Sequence, residues 1–170
     1  MCPDHPERRQ GPAPGQADAD RHWLAAAIEL SKDCPPTDSA FCVGAILVSA
    51  IGEEIARGYS RQADARDHAE EIALARAAGL AAELSGATLY TSLEPCLRRG
   101  SRPVSCAELI LRTGVRRVVY AWREPPIFQP GGGAAWLAGH GVAVIEVADL
   151  ATAARAVNRP LLERRSDPSP

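Results

Sequence analysis

With 170 residues, the chain is long enough for one domain with a sizeable hydrophobic core. Its net charge of −2 and its 5% aromatic content argue against long nucleic acids as partners. Apolar runs such as Val43 to Val48 are too short to cross a bilayer, and the charged, proline-rich N-terminus lacks the apolar core of a secretory signal. We therefore predict a cytoplasmic protein without a membrane partner, whose five cysteines do not form a disulfide framework.

Both ends of the chain are rich in proline and charge. Residues 1–17 and 164–170 are predicted to be disordered tails, and residues 18–163 a single domain. Within that domain, a first helix is expected from Asp18 or Asp20 to Cys34, where two prolines end it. The apolar, β-branched runs at 41–50 and 53–60 predict a hairpin.

Alternating helices and strands fill the rest of the domain. A second helix is predicted from Asp67 to Gly79 and a third strand at 87–93, followed by a third helix that Ser105 caps and a fourth strand at 115–122. About twenty residues, with a short helix at 134–138, lead to a fifth strand at 142–147, a length that suits a crossover to a parallel neighbour. With a last helix from Asp149, this order predicts a three-layer α/β/α domain with a mixed five-stranded sheet.

Four side chains with zinc chemistry stand at predicted strand ends or helix starts. His68 and Glu70 begin the second helix, Cys96 follows the third strand, and Cys106 begins the third helix. Such positions can converge at one edge of an open α/β sheet, where these folds bind ligands. One His and two Cys occupy three of the four tetrahedral positions of zinc, and an open fourth position is typical of catalytic sites. Glu70 would move a proton from water to a leaving amine, as in hydrolytic deamination.

The motifs HAE at 68–70, PC at 95–96 and Cys106 resemble the cytidine/deoxycytidylate deaminase superfamily. Nine residues separate the two cysteines, where most members have two, and this longer loop resembles the riboflavin-pathway pyrimidine deaminases. The likeness extends over most of the chain from about residue 20 to 160. It implies a cytidine deaminase-like fold, a Zn²⁺ cofactor held by His68, Cys96 and Cys106, Glu70 as the catalytic residue, and a stand-alone, homodimeric deaminase.

Three segments depart from the riboflavin-pathway pattern, and all are expected to touch the substrate. Ala40-Phe41-Cys42 stands where an Asn-Pro pair is usual, GYSRQ at 58–62 lacks the usual histidine, and LRRGSRPVS at 97–105 lacks the usual paired histidines. The heterocycle therefore stays open between a diaminopyrimidine phosphate and a cytosine-, cytidine- or guanine-type substrate. The candidate substrate contacts are Phe41, Ser60, Arg61, Ala69, Arg98, Arg99 and Arg102.

Two other classes of function also stay open. Base editing in RNA or DNA needs basic grooves and stacking aromatics, which the composition disfavours. A non-catalytic zinc domain, or a redox protein that uses Cys96 and Cys106, would have no use for Glu70. We interpret Cys34 and Cys42 as small hydrophobic residues at the end of the first helix and in the first strand.

Overall fold

A mixed sheet forms the middle layer of the molecule in the computed structural model, which describes residues 15–80 and 84–166. In these residues the order of the five strands is β2-β1-β3-β4-β5, with β1 antiparallel to both neighbours and β3, β4 and β5 parallel. The strands are β1 (Gly44–Val48), β2 (Glu54–Tyr59), β3 (Thr88–Leu93), β4 (Arg117–Trp122) and β5 (Ala143–Glu146). The predicted hairpin, the parallel crossover and the mixed five-stranded sheet are confirmed.

Helices cover both faces of this sheet, as the three-layer prediction requires. In the described residues the helices are α1 (Gln16–Leu30), α2 (Ala69–Arg76), α3 (Cys106–Thr113), α4 (Gly133–Gly139), α5 (Ala151–Val157) and α6 (Arg159–Ser166). Helices α1 and α5 contact the sheet and each other, whereas α2 packs against β1 and β2 and also contacts α3. None of the helices in this part of the chain is long and apolar enough to span a membrane.

The first layer comes unusually close to the sheet at Gly44. Every residue of β1 is buried, and a Cβ atom on Gly44 would lie 2.1 Å from the Ala27 carbonyl oxygen of α1. Only glycine leaves room for this approach. The close contact brings Leu24 of α1 against the strands, and Leu24, Ile46 and Leu47 are at most 1% exposed.

Among the first three helices, one start matches the prediction and two differ. Ser105 caps α3 as predicted, because its hydroxyl accepts from the Glu108 N–H while the Glu108 carboxylate accepts from the Ser105 N–H. Helix α1 begins earlier than predicted, after Gly15, and Asp20 is a buried residue inside it. Helix α2 is capped by His68 and not by Asp67.

The last predicted helix is two helices, divided at Asn158. Pro160 lacks the N–H that would continue α5, so the chain breaks and restarts as α6. At the break, the Asn158 side chain accepts a hydrogen bond from the Cys42 N–H at 2.7 Å and donates one to the Cys42 carbonyl at 3.0 Å. Helix α6 reaches Ser166, beyond the predicted start of a tail at residue 164, and Arg164 Nε donates to Asp38 at 2.6 Å. Residues 1–14 and 167–170 of the predicted tails lie outside the described residues.

Candidate metal and active site

One imidazole and two thiols meet at the edge where the parallel strands end. His68 caps α2, Cys96 lies three residues after the end of β3, and Cys106 is the first residue of α3. The His68 Nδ1 atom lies 3.6 Å from Cys96 Sγ and 3.4 Å from Cys106 Sγ, and the three ligand atoms lie within 4.8 Å of one another. The structure thus brings together the three residues that the sequence predicts as metal ligands.

The spacing of these atoms fits zinc. Zn–S bonds of about 2.3 Å and Zn–N bonds of about 2.0 Å place the ligand atoms of a tetrahedral site roughly 3.5 Å apart. The two measured nitrogen–sulfur distances are close to that value. Among the described residues, no fourth His, Cys, Asp or Glu joins the group, so the donor set corresponds to an open site rather than to a closed structural one.

The two thiols differ in acidity because they share a hydrogen bond. That bond from Cys106, followed by the hydrogen bond and charge of His68, outweighs burial and lowers the pKa of Cys96 to about 4. The same bond and the burial of Cys106 raise the pKa of Cys106 well above its ordinary value. The backbone N–H of Cys106 also points at Cys96 Sγ, at 3.5 Å. A thiolate is therefore already favoured at one of the two metal-ligand positions.

Glu70 lies beside this cluster and is 3% exposed. Its Oε1 atom accepts a hydrogen bond from the Thr91 hydroxyl at 2.9 Å, and its Oε2 atom lies 3.5 Å from Cys106 Sγ. Burial, and then the negative charge of Cys96, raise the pKa of the Glu70 carboxyl group above its ordinary value. The sequence did not indicate this contact of Thr91 with Glu70, since a threonine in a strand has no distinguishing local signal.

The loop between the two cysteines is tied to the start of α2 by ion pairs. Arg99 Nη2 lies 3.1 Å from the Glu71 carboxylate and donates to the Arg66 carbonyl at 2.7 Å. Arg102 pairs with Asp67 at 3.0 Å and with the second Glu71 oxygen at 3.2 Å. Glu71 therefore anchors this loop.

A cavity of about 370 Å³ opens onto the cluster. His68, Glu70 and Cys96 line its floor, and Phe41 and Phe128 lie in its wall. The Phe41 ring packs edge-to-face on Phe128 with centroids 5.0 Å apart, and on the buried Trp122 at 5.2 Å. Phe41 and Phe128 thus form an aromatic wall of the cavity, and Trp122, which is not part of the lining, packs against Phe41.

Two glutamates that the sequence analysis did not single out shape the far side of this cavity. Glu94 of the SLEPC motif accepts from the N–H groups of Glu124 and Ala134, at 3.1 and 2.9 Å. Gly133 permits this packing, because a Cβ there would lie 1.8 Å from the Pro95 carbonyl oxygen. Burial and the negative charges of Cys96, Glu70 and Glu94 raise the pKa of Glu124 to about 8. Its Oε2 atom is buried and has no hydrogen-bond partner among the described residues.

The predicted substrate contacts divide into two groups. Five of them line the cavity, namely Phe41, Ser60, Arg61, Arg98 and Arg99. Ala69 and Arg102 are not part of its lining; Ala69 is fully buried, and Arg102 faces Asp67 and Glu71. The Ser60 hydroxyl exchanges hydrogen bonds with the backbone of Val43, so it is engaged within the chain.

The three-layer fold and a His-Cys-Cys cluster with a buried glutamate beside it define the cytidine deaminase-like class of zinc-binding proteins. Residues 17–122 match the family described as the cytidine and deoxycytidylate deaminase zinc-binding region, and the chain belongs to this family.

Two relatives have names that are more specific than the name of the family. A protein of Schizosaccharomyces pombe called diaminohydroxyphosphoribosylamino-pyrimidine deaminase is 40% identical over 126 residues, which cover 73% of this chain and 31% of the relative. Riboflavin biosynthesis protein RibD of Aquifex aeolicus is 36% identical over 126 residues, or 74% of this chain and 34% of that protein. The chain therefore spans about one third of the length of these curated relatives.

A solved structure agrees with these sequence matches. The diaminohydroxyphosphoribosylaminopyrimidine deaminase/5-amino-6-(5-phosphoribosylamino)uracil reductase of Thermotoga maritima superposes with a TM-score of 0.72 at 32% identity. The match covers 82% of this chain and 39% of that one. The predicted cytidine deaminase-like fold is confirmed.

Proposed function

We propose that the protein is a zinc-dependent hydrolytic deaminase that replaces the amino group of a small aminopyrimidine with oxygen and releases ammonia. The observation that carries this proposal is the position of Glu70. Its buried carboxylate is in contact with a candidate zinc ligand and faces the cavity that His68 and Cys96 also line. A purely structural metal site has no use for a proton carrier in that place.

His68, Cys96 and Cys106 would hold the zinc ion, for which their atoms are correctly spaced. When bound in such a site, zinc lowers the pKa of a water in its open position to about 7. Glu70 would accept a proton from the attacking water and pass it to the departing amine. Burial, and then the negative charge of Cys96, raise the pKa of Glu70 above its ordinary value, which makes its carboxylate a stronger proton acceptor. The Thr91 hydroxyl fixes one carboxylate oxygen and leaves the other for this transfer.

The cavity wall supplies the means to hold a flat heterocycle. Phe41 and Phe128 present apolar ring surface beside the cluster and exclude water from it. Burial raises the pKa of Glu124 to about 8, which favours the protonated form, and in that form Glu124 can donate a hydrogen bond to a ring acceptor. We assign Glu124 to recognition of the heterocycle on this basis.

The substrate that we favour is a riboflavin-pathway diaminopyrimidine phosphate. The names of the Schizosaccharomyces pombe and Aquifex aeolicus relatives support this choice. The lining of the cavity also favours a phosphorylated substrate, because it includes Arg98 and Arg99. The Arg99 Nη1 atom is buried and has no hydrogen-bond partner among the described residues. The three sequence departures noted above all lie at or near this cavity, so the exact heterocycle is a matter for assay.

The test is an ammonia-release assay on the zinc-loaded protein, with metal content measured in parallel. The panel contains the diaminopyrimidine ribosylamino phosphate, its dephosphorylated form, cytidine, dCMP and guanine. We expect the phosphorylated diaminopyrimidine to be the best substrate. Protein that holds one zinc ion per chain and releases no ammonia from any member would contradict the proposal, and preference for cytidine or guanine would overturn the substrate assignment only.

From the sequence and its resemblance we further propose that the protein acts in the cytoplasm as a homodimer on small molecules. Light scattering on the purified chain tests the dimer, and a fluorescent fusion tests the location. A gel shift with transfer RNA or single-stranded DNA and a steep salt dependence would contradict the small-molecule assignment.

A further inference from the structure

Every nitrogen of the Arg61 guanidinium group contacts the segment 34–42, which lies beside the cavity. Its Nε donates to the Pro35 carbonyl at 2.8 Å and its Nη1 to the Phe41 carbonyl at 3.1 Å. Its Nη2 lies 2.7 Å from Cys34 Sγ and 3.2 Å from Cys42 Sγ. One cationic nitrogen therefore touches two sulfur atoms, which by this geometry lie less than about 6 Å apart.

The backbone around these groups is firmly positioned. Arg61 has a φ of 60°, in the left-handed region that is unfavourable for a residue with a side chain, and its N–H donates to the Asp67 carbonyl at 2.9 Å. Two hydrogen bonds between the Asn158 side chain and the backbone of Cys42 hold Cys42 in position. The encounter of the two thiols is thus built into the fold and does not depend on a flexible segment.

The two thiols have different environments. Cys34 is 5% exposed, whereas Cys42 is only partly buried and is the more accessible sulfur. The hydrogen bond from Cys34, and then the charge and hydrogen bond of Arg61, outweigh burial and lower the pKa of Cys42 to about 7. The same hydrogen bond and burial raise the pKa of Cys34 above its ordinary value. An accessible thiolate beside a cation, with a protonated thiol next to it, is the arrangement of an oxidisable pair.

We propose that Cys34 and Cys42 form a peroxide-oxidisable dithiol, in which Cys42 attacks, Cys34 resolves and Arg61 stabilises the thiolate. In the first step the Cys42 sulfur attacks one oxygen of a hydroperoxide, the O–O bond breaks, and the products are a Cys42 sulfenic acid and water or an alcohol. In the second step the Cys34 sulfur attacks the Cys42 sulfur, an S–S bond forms, and the hydroxyl leaves as water. The two thiols lose two electrons and two protons, which the peroxide takes up.

This site is distinct from the candidate zinc cluster but adjoins the same cavity. Ser39, Ala40 and Phe41, which lie between the two cysteines, are part of the cavity lining. A disulfide would close this segment into a ring and remove a negatively charged partner from Arg61. Oxidation would therefore change the position of residues in the cavity wall, while Cys96 and Cys106 remain available for the metal.

Peptide mapping of the zinc-loaded full chain tests the proposal independently of any deaminase activity. Trypsin cleaves after Lys32 and after Arg57, so Cys34 and Cys42 fall in one peptide, while Cys96 and Cys106 fall in others. After mild peroxide treatment that leaves zinc bound, followed by alkylation, we expect the 33–57 peptide to be unalkylated and lighter by two hydrogen atoms than its reduced form. Prior treatment with a dithiol reductant should restore two alkylation sites.

Three variants separate the roles. Cys34→Ser should stop the reaction at a Cys42 sulfenic acid, which a cyclic 1,3-diketone labels. Arg61→Gln should slow disulfide formation about tenfold at pH 7, because the thiolate loses its cation, whereas the exposed Arg116→Gln should match the wild type. The proposal is overturned if the wild-type 33–57 peptide keeps two alkylatable cysteines, or if Cys42 proceeds to sulfinic acid without bridging. An unchanged rate in Arg61→Gln would overturn the role of that residue.

Discussion

The Glu70 Oε2 atom lies 3.5 Å from Cys106 Sγ, so the candidate proton carrier touches a candidate metal ligand. The other oxygen of the same carboxylate is held by Thr91 at 2.9 Å. The Glu70 carboxyl group is therefore positioned jointly by three elements: the start of α2, the end of β3 and the start of α3. Because the group is buried and already oriented, it can move a proton over a short distance without rearrangement of solvent.

Replacing Glu70 with glutamine keeps the shape of the side chain but removes the proton carrier. We expect Glu70→Gln to bind as much zinc as the wild type and to lose about 10²- to 10⁴-fold in turnover, the range that general acid–base catalysis contributes. Ammonia release and metal analysis on the same samples measure both effects. Glu53→Gln, in an exposed turn, is the matched control and should be fully active. Wild-type turnover in Glu70→Gln would refute the assigned role.

Thr91→Val removes the hydroxyl that orients Glu70 while conserving the side-chain volume. A hydrogen bond to a charged group contributes about 1.5–3 kcal/mol, so turnover should fall about tenfold or more with zinc content unchanged. Thr88→Val on the same strand serves as the control, since its hydroxyl lies 3.4 Å from Arg117 and not at the cavity. Equal losses in the two variants would point to a general effect of strand destabilisation.

Removal of the metal should destabilise the fold, because the three ligands come from three separate segments of the chain. A ligand that binds only the folded state adds about 4 kcal/mol when its free concentration is a thousandfold above its Kd. Thermal unfolding with a chelator should therefore have a lower midpoint, which stoichiometric zinc restores. Cys106→Ser should lose this response to zinc and Cys34→Ser should keep it. Identical midpoints with and without zinc in the wild type would argue against the site.

The buried Asp20 makes the stability depend on pH. Burial alone would raise its pKa, but hydrogen bonds from Arg117, Gln16 and Tyr90 outweigh burial and place the pKa below its ordinary value. A carboxylate with a lowered folded-state pKa stabilises the fold above its unfolded-state pKa of about 4, and this stabilisation is lost as the pH falls through the folded-state value.

Asp20→Asn should therefore reduce the free energy of unfolding by about 3 kcal/mol at pH 7, because it leaves the Arg117 charge without its partner. The difference from the wild type should shrink as the pH falls below about 4. Urea denaturation of both proteins at pH 7 and pH 3 measures it. A difference that stays constant or grows at acidic pH would contradict the assignment.

Arg99 provides a test of the phosphate assignment. Its side chain is 2% exposed, with Nη2 bound to Glu71 and Nη1 lacking a partner among the described residues. Arg99→Met should raise the KM of a phosphorylated substrate about tenfold, the effect of losing one charge-assisted contact. The dephosphorylated substrate should be affected little, and the exposed Arg112→Met should behave as the wild type. Equal effects on both substrates would show that Arg99 only supports the loop.

The elements of the fold were predictable because their signals are local. Short apolar runs predicted all five strands of the described sheet within a few residues, and Ser105 as a cap placed the start of α3. The helix break at Asn158 was missed although Pro160 is a local signal for it. The break is stabilised by two hydrogen bonds between the Asn158 side chain and the backbone of Cys42, a residue 116 positions away.

By itself, the sequence determined the candidate metal ligands, the candidate proton carrier beside them and the order of strands and helices, since each depends on neighbours within a few positions. Only the tertiary structure decided which distant groups meet. It placed the Thr91 hydroxyl on Glu70 and the Arg61 guanidinium on Cys34 and Cys42. It also buried the Glu124 Oε2 atom, which has no hydrogen-bond partner in the part of the chain that the structure describes. These contacts depend on how layers of the fold pack, and long-range packing has no local signature in one chain.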